Sequence, residues 1–377
     1  MSKDPSEKAS KDEGPEDGEL SPVPRQRATW PVIWLGVCLL GIGLALHGSL
    51  PYAWGDARLW AKLEHLEIHA KGYDTVFIGS SYTYRHISPR VYDAESARLR
   101  QEAGLPARIG KSFNLAVDGM HQPATGQLFE HLISMQLPNL ETVVIELGRF
   151  TSAVDPEIDR TPEAQCWRTP ALTRSMIRFL WARPDKGRAQ KLLQTAKLIG
   201  VQVQASLNVG HGLRILEFLR GYPDLDAGFL GPDGDGFYAV DRQAEALTGR
   251  PLDNEFLRRA DGAQVLERIR TASLEAFEAS TGEANPEGVR ILQSLLKQAD
   301  AADLELYFLV PPRLGHRYLH LRPLFAHLPA DRLILEPADP RLNPQLYDLA
   351  DTADRGHLNE AGALKYSRLI AGLMFGR

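Results

Sequence analysis

The chain has 377 residues and a formal net charge of -5, from 43 Lys+Arg against 48 Asp+Glu. With 44% hydrophobic and 24% charged residues it has ordinary globular composition, which excludes a collagen-like, largely disordered or multi-span membrane protein. No cluster of Lys and Arg offers a phosphate-tracking surface, so nucleic acid is excluded as a partner. The two cysteines, Cys38 and Cys166, lie far apart. They give neither a disulfide framework nor a Cys-rich zinc site, and Cys166 reads as a packed, inert thiol.

Residues 1–28 are polar and proline-rich, with seven acids and five bases. Nothing among them builds a core, and they read as a disordered cytoplasmic tail. Composition then changes sharply. No Asp, Glu, Lys or Arg occurs from Ala28 to Gly55, and the apolar run from Trp30 to Leu50 is long enough to cross about 30 Å of hydrocarbon as a helix. Trp30 and Trp34 at one end, and Tyr52 and Trp54 at the other, suit the headgroup level. Arg25 and Arg27 precede the run and Arg58 and Lys62 follow it, a weak bias toward a cytoplasmic N-terminus. Cleavage by signal peptidase is disfavoured because the window Ala45-Leu46-His47 ends in His. Residues 29–50 are therefore expected to be a single uncleaved signal-anchor in the cytoplasmic (inner) membrane, with everything after about residue 55 periplasmic or extracellular.

Residues 51–71 read as a connecting helix, with Leu59, Leu63, Leu66 and Ile68 at helical spacing. Short apolar runs at 74–79, 112–116, 141–147, 304–310 and, more weakly, 332–336 read as strands. Helical patterns lie between the strands and over Asn359 to Leu373. Strands alternating with helices imply a parallel α/β sheet covered on both faces, with ligands at the carboxyl ends of the strands. A mainly helical stretch at about 151–300 interrupts the alternation as an insertion. Within it, Gly231-Pro-Asp-Gly-Asp-Gly236 predicts a tight turn with glycine at positive φ rather than a calcium loop, since the remaining ligands of such a loop are missing.

Two stretches carry chemistry. Gly79-Ser80-Ser81-Tyr82-Thr83 follows the first strand, where a turn points a serine hydroxyl into the cleft and leaves backbone N–H groups for an oxyanion. Asp354-Arg-Gly-His357, before the last helix, puts a carboxylate within reach of an imidazole. Each has a bland alternative, a polar turn in one case and a helix cap with an incidental histidine in the other. Arg85 and His86 read as a solvated helix start, and His121 stays open between that and cleft lining. His316, His320 and His327 read as an exposed basic helix, and the sequence calls for no cofactor or metal.

In order, the chain presents strand–Ser81, Asn114-Leu-Ala-Val-Asp-Gly119 after strand two, Glu146-Leu-Gly148 after strand three, and Asp354-x-x-His357 near the C-terminus. This order resembles the SGNH (GDSL-like) hydrolase superfamily, over roughly residues 72–150 and 300–377. Within it the chain is similar to the membrane-anchored branch that includes bacterial exopolysaccharide O-acetyltransferases and the teichoic-acid D-alanylation protein. The resemblance implies a flavodoxin-like three-layer sandwich. It also implies Ser81 as nucleophile, Ser80 in place of the family's preceding Asp, Gly119 as an oxyanion amide, and Asp354 and His357 as the remaining catalytic pair. The third block departs from the family. Gly148-Arg149-Phe150 stands where Gly-x-Asn is usual, so an oxyanion donor whose loss costs about 10²–10³ in rate elsewhere is missing. Arg149 is a candidate substitute as a cationic donor, with contact to an anionic substrate or pairing with an acid as its alternatives, and Asn114 is either a second donor or a brace for the turn.

The expected function is that of a membrane-anchored serine esterase or O-acyltransferase acting on acyl esters of a cell-envelope polysaccharide or glycan, with a membrane O-acyltransferase as a further partner. The alternative is a catalytically weak or inactive SGNH-like protein that binds glycan or a partner.

Overall fold

The computed structural model describes residues 29–106, 110–155, 158–222, 226–250, 261–279 and 282–375. The expected tail, 1–28, lies outside the described residues. The chain is an α/β protein built on a five-stranded parallel sheet of order β2-β1-β3-β4-β5. The strands are β1 Tyr73–Ile78, β2 Lys111–Asn114, β3 Thr142–Glu146, β4 Glu305–Leu309 and β5 Leu333–Ile334. Val76 pairs with Phe113 on one side and Val143 on the other, Val144 pairs with Tyr307, and Leu309 pairs with Ile334.

Successive side chains of a strand point to opposite faces, and both faces are dry. Val76, Ile78, Val143, Ile145, Leu306 and Phe308 enter one core. Phe77, Val144, Leu309 and Ile334 enter a second, smaller one. On the smaller face lie the helices Pro89–Glu102 and Glu360–Phe375, which bring Tyr92, Tyr366 and Ile370 onto the sheet. On the larger face lie Ala57–Ile68, Ala124–Ser134 and Pro286–Ala301, with Leu59, Leu128 and Leu292 buried among them.

Local sequence sets many of the helix starts. Asp56 caps Ala57–Ile68 by accepting from the amides of Arg58 and Leu59. Thr161, Thr169 and Asn285 each cap a helix whose first residue is proline, at Pro162, Pro170 and Pro286. The inserted helices include Pro162–Cys166, Pro170–Trp181, Arg188–Ser206 and Gly212–Leu219. Pro286–Ala301 closes the stretch expected as an insertion, but it lies against β4 and Ala124–Ser134 and serves as a crossover helix of the sheet. In the Gly231–Gly236 turn, Gly231, Gly234 and Gly236 all have positive φ.

Strand two ends at Asn114, two residues before its expected end, because the Asn114 side chain turns back on the chain there. Strand five is reduced to two residues before the turn at Glu336–Ala338. At the N-terminus, Thr29–Ser49 forms one helix long and apolar enough to cross a membrane.

Candidate active site

Order 2-1-3 places β1 where the sheet reverses direction, with β2 to one side and β3 to the other, and doubly wound sheets take their ligands outside the carboxyl ends at such a point. Ser81 follows β1 directly, as the first residue of the helix Ser81–His86. Ser80 is its N-cap, its hydroxyl accepting from the Tyr82 amide at 3.3 Å. Being first in the helix, Ser81 has an amide that no carbonyl of that helix can reach.

The turn is held from below by Glu146, the last residue of β3. Its buried carboxylate accepts from the Ser80 amide (2.9 Å), the Ser80 hydroxyl (2.7 Å), the Thr83 amide (3.1 Å) and the Thr83 hydroxyl (2.9 Å). Burial pushes this carboxyl up and the four hydrogen bonds oppose it. Gly79 is needed for the close approach, since a Cβ there would lie 2.4 Å from Thr83 Oγ1 and 2.6 Å from Glu146 Oε2.

His357 reaches the same point from 276 residues away, its Nε2 lying 2.9 Å from Ser81 Oγ. Its Nδ1 lies 2.9 and 3.0 Å from the two carboxylate oxygens of Asp354. A carboxylate only accepts, so Nδ1 carries the hydrogen and Nε2 is left to accept from the serine hydroxyl. Asp354 Oδ1 also accepts from the amides of Gly356 and His357. Burial raises the Asp354 carboxyl, but the His357 side chain and these amides outweigh it, and the group is held below its ordinary value.

The peptide joining His357 to Leu358 is gripped on both sides. Its carbonyl accepts from the Ala353 amide at 3.0 Å and from Arg313 Nη1 at 3.3 Å. Its N–H donates to His86 Nε2 at 3.0 Å. Arg313 has a φ of 65° and also donates to the Leu346 carbonyl and the Thr352 hydroxyl. His86 is fully buried, and burial followed by the charges of His357, Arg313 and Arg85 holds its pKa well below the ordinary value.

The second block is fixed beside the first. Leu115 and Val117 donate from their amides to the carbonyls of Phe77 and Gly79. Two residues further on lies Gly119, at φ 78°. Asp118, before it, takes Arg85 through both oxygens, at 3.2 and 2.8 Å, and Arg58 at 2.9 Å. Burial raises Asp118, but Arg85 and then Arg58 outweigh it and keep it low. Lys62, wholly buried, donates to the carbonyls of Ala116 (2.6 Å) and Gly236 (2.8 Å), and its ammonium sits 3.8 Å from the Tyr84 ring centre.

The structure thus brings Ser81, His357 and Asp354 into one hydrogen-bonded chain and ties Val117, two residues before Gly119, to Gly79 at the end of β1. Of the two readings of Asn114, the donor gives way to the brace, because its amide group donates to the carbonyls of Thr83 and Ile87 while its oxygen accepts from the Ala116 amide. It braces the turn from a fully buried position. The expectation for Arg85 and His86 is corrected, since they are not solvated. Both are buried and tied to neighbouring blocks, Arg85 also donating to the Tyr238 carbonyl and Gln243.

Arg149 has an exposed side chain, and its carbonyl accepts from the Gln122 amide, tying the third block to the second. Burial, then the charges of Arg149 and Arg317, hold the His121 imidazole down at about 4. Cys166 is buried, and burial pushes its thiol well up. Among the described residues no group of three His, Cys, Asp or Glu is placed to hold a metal ion.

Sequence reasoning passed over Glu146, Asp118, Arg58, Lys62 and Arg313 as supports. Only Glu146 and Asp118 lay inside the stretches that drew attention. Comparisons with known proteins add no name to this geometry: no family model, no curated protein and no solved structure matches the chain.

Proposed function

We propose that the chain is a membrane-anchored serine esterase or O-acyltransferase of the SGNH type, acting outside the cytoplasm on acyl esters of a cell-envelope polysaccharide or glycan. The observation that carries the reading is the chain of hydrogen bonds from Asp354 through His357 to Ser81 at the carboxyl edge of a parallel sheet. The strand order, that of flavodoxin-like doubly wound sheets, and the apolar helix Thr29–Ser49 support it.

In this mechanism Ser81 Oγ attacks the acyl carbon and its proton passes to His357 Nε2. Asp354 stabilises the imidazolium that forms. The tetrahedral oxyanion is received by the amides of Ser81 and Gly119. His357 returns the proton to the departing alkoxide, leaving an acyl group on Ser81. Water (hydrolysis) or a sugar hydroxyl (transfer) then attacks that ester, with His357 again taking the proton. Phe150 stands at the position of the family's asparagine donor, and the exposed Arg149 beside it is the candidate substitute.

Replacing Ser81 by Ala is expected to abolish turnover of an activated acetyl ester while leaving the melting temperature in place. Equal turnover by the variant would sink the assignment. The second reading, an SGNH-like binder of glycan or of a membrane O-acyltransferase, is favoured by the missing third-block asparagine together with the bracing role of Asn114. A fluorophosphonate probe separates the two. Labelling at Ser81 supports the enzyme, and a folded protein that stays unlabelled supports the binder.

A further inference from the structure

Beside the apolar N-terminal helix lies a second apolar surface that the proposed chemistry does not use. The inserted helices Arg188–Ser206 and Gly212–Leu219 expose Leu192, Leu193, Ile199, Val203, Leu213 and Leu219, the last two about 70% accessible. A soluble surface scatters such residues singly, whereas here they crowd two consecutive helices. From Lys186 to Leu216 the sequence contains no acidic residue and carries Lys186, Arg188, Lys191 and Lys197, while Arg214 is paired with Glu217 at 3.0 Å.

This surface is continuous with the N-terminal helix. The helix meets the end of Arg188–Ser206 at Gly43, where a Cβ would lie 2.8 Å from the Leu207 carbonyl oxygen. Asn208 Nδ2 donates to the Gly43 carbonyl at 3.3 Å. Gly43 is six residues inside the helix end at Ser49, a depth of about 9 Å along its axis. If Thr29–Ser49 spans a bilayer, the Leu207–Asn208 corner is drawn to about that depth. That is the level at which interfacial amphipathic helices bury their apolar faces, about 5–10 Å into the headgroup and acyl boundary.

We infer that Arg188–Ser206 and Gly212–Leu219 form a monotopic seat that lies in the surface of an anionic phospholipid bilayer beside the anchor. The inference rests on reading Thr29–Ser49 as a membrane span and goes beyond it. The apolar residues enter the acyl boundary, and Lys186, Arg188, Lys191 and Lys197, with no acid between them in the sequence, meet anionic headgroups. The seat holds the domain against the membrane rather than on a loose tether. Tyr52 to Arg58 lead from the anchor directly to Asp118, so the proposed active site is kept close to the bilayer and to substrates presented there.

The test uses the full chain in nanodiscs of mixed phosphatidylglycerol and phosphatidylcholine, with an environment-sensitive fluorophore on single cysteines and a quencher on the lipid acyl chains. Every variant carries Cys166→Ser, and Cys38 in that background reports the span. Val203→Cys and Leu213→Cys, each with Cys38→Ser as well, report the seat, and Gln101→Cys in the same background, on the helix Pro89–Glu102, is the control. Blue-shifted emission with most of it quenched at 38, 203 and 213, and none at 101, is the expected result. Quenching at 38 while 203 and 213 behave like 101 overturns the seat and leaves the span standing. No quenching at 38 overturns the span and the seat with it. Phosphatidylcholine alone is expected to weaken quenching at 203 and 213 but not at 38, and an unchanged signal there overturns the anionic preference.

Discussion

The peptide between His357 and Leu358 is where single residues decide whether the proposed base is in place. Arg313 holds its carbonyl and His86 its N–H, so the imidazole hangs from a backbone that is fixed on both sides. Replacing His86 by Leu leaves the Leu358 N–H buried without an acceptor, at a cost of about 1–3 kcal/mol. Labelling of Ser81 by a fluorophosphonate is expected to slow by about tenfold, since a misplacement of the base by a fraction of an ångström is felt in the barrier. An unchanged labelling rate would show that the base needs no such grip. Buried histidines held neutral make folding less favourable in acid. The folded-state pKa of His121 is about 4, against about 6.5 unfolded. A depressed value gives a contribution that is whole above pH 6.5 and is lost as pH falls toward 4, about 2 kcal/mol being gone by pH 5. His86 acts in the same direction. Urea unfolding at pH 7.5 and pH 5 is expected to show a smaller difference for His121→Gln than for the natural chain, by about that amount; an equal difference excludes His121 as its source.

At the scale of elements, the turn from β1 into Ser81–His86 is shaped less by its own residues than by the end of β3. Glu146 fills the space under the turn, and that space exists only because position 79 has no side chain. Gly79→Ala must push the carboxylate or Thr83 aside, which is expected to cost about 1–3 kcal/mol and to be seen as a lowered urea midpoint. A variant as stable as the natural chain would mean that Glu146 is not wedged there. The same contrast explains what the sequence disclosed. Asp354 and His357 are three residues apart and Ser81 follows a readable strand, so both stretches stood out locally, while their joint role came only from the block order that resembles the superfamily. Strand and helix periodicity gave the sheet class. The supports could not be read, because each depends on chain closure. Lys62 answers carbonyls 54 and 174 residues away, and His86 answers an amide 272 residues away. The helix Ser81–His86 is too short to show a buried face in its pattern, so His86 and Arg85 read as solvated. Asn114 had the right chemistry for an oxyanion donor, and only the fold shows that its hydrogens are already committed.

For the whole molecule, the junction between the apolar helix and the sheet is part of the folded body. Ala53 is inaccessible to solvent, Trp54 is 3% accessible, and Asp56 caps the next helix from complete burial. Arg214 Nε donates to the Gly55 carbonyl at 3.1 Å, the Tyr222 hydroxyl donates to the Trp54 carbonyl, and the Tyr52 ring stacks on His131 at 4.5 Å. A Cβ on Gly55 would lie 2.5 Å from the Pro162 carbonyl oxygen, so the inserted helices close over this segment. The apolar helix therefore ends at Ser49, and the packed body begins at Leu50. A chain starting at Leu50 is expected to keep its fold and its proposed esterase activity on a soluble ester. A chain starting at Ala57 loses the buried Trp54, worth about 3–5 kcal/mol by analogy with truncation of large core side chains. It also loses the Asp56 cap, about 1 kcal/mol. Against a total stability of about 5–15 kcal/mol, that loss is expected to lower the melting temperature by about 10 °C or more. Thermal denaturation of the two truncations decides the matter: equal melting temperatures would make residues 50–56 a tether, and a large gap between them makes these residues the first packed segment of the domain.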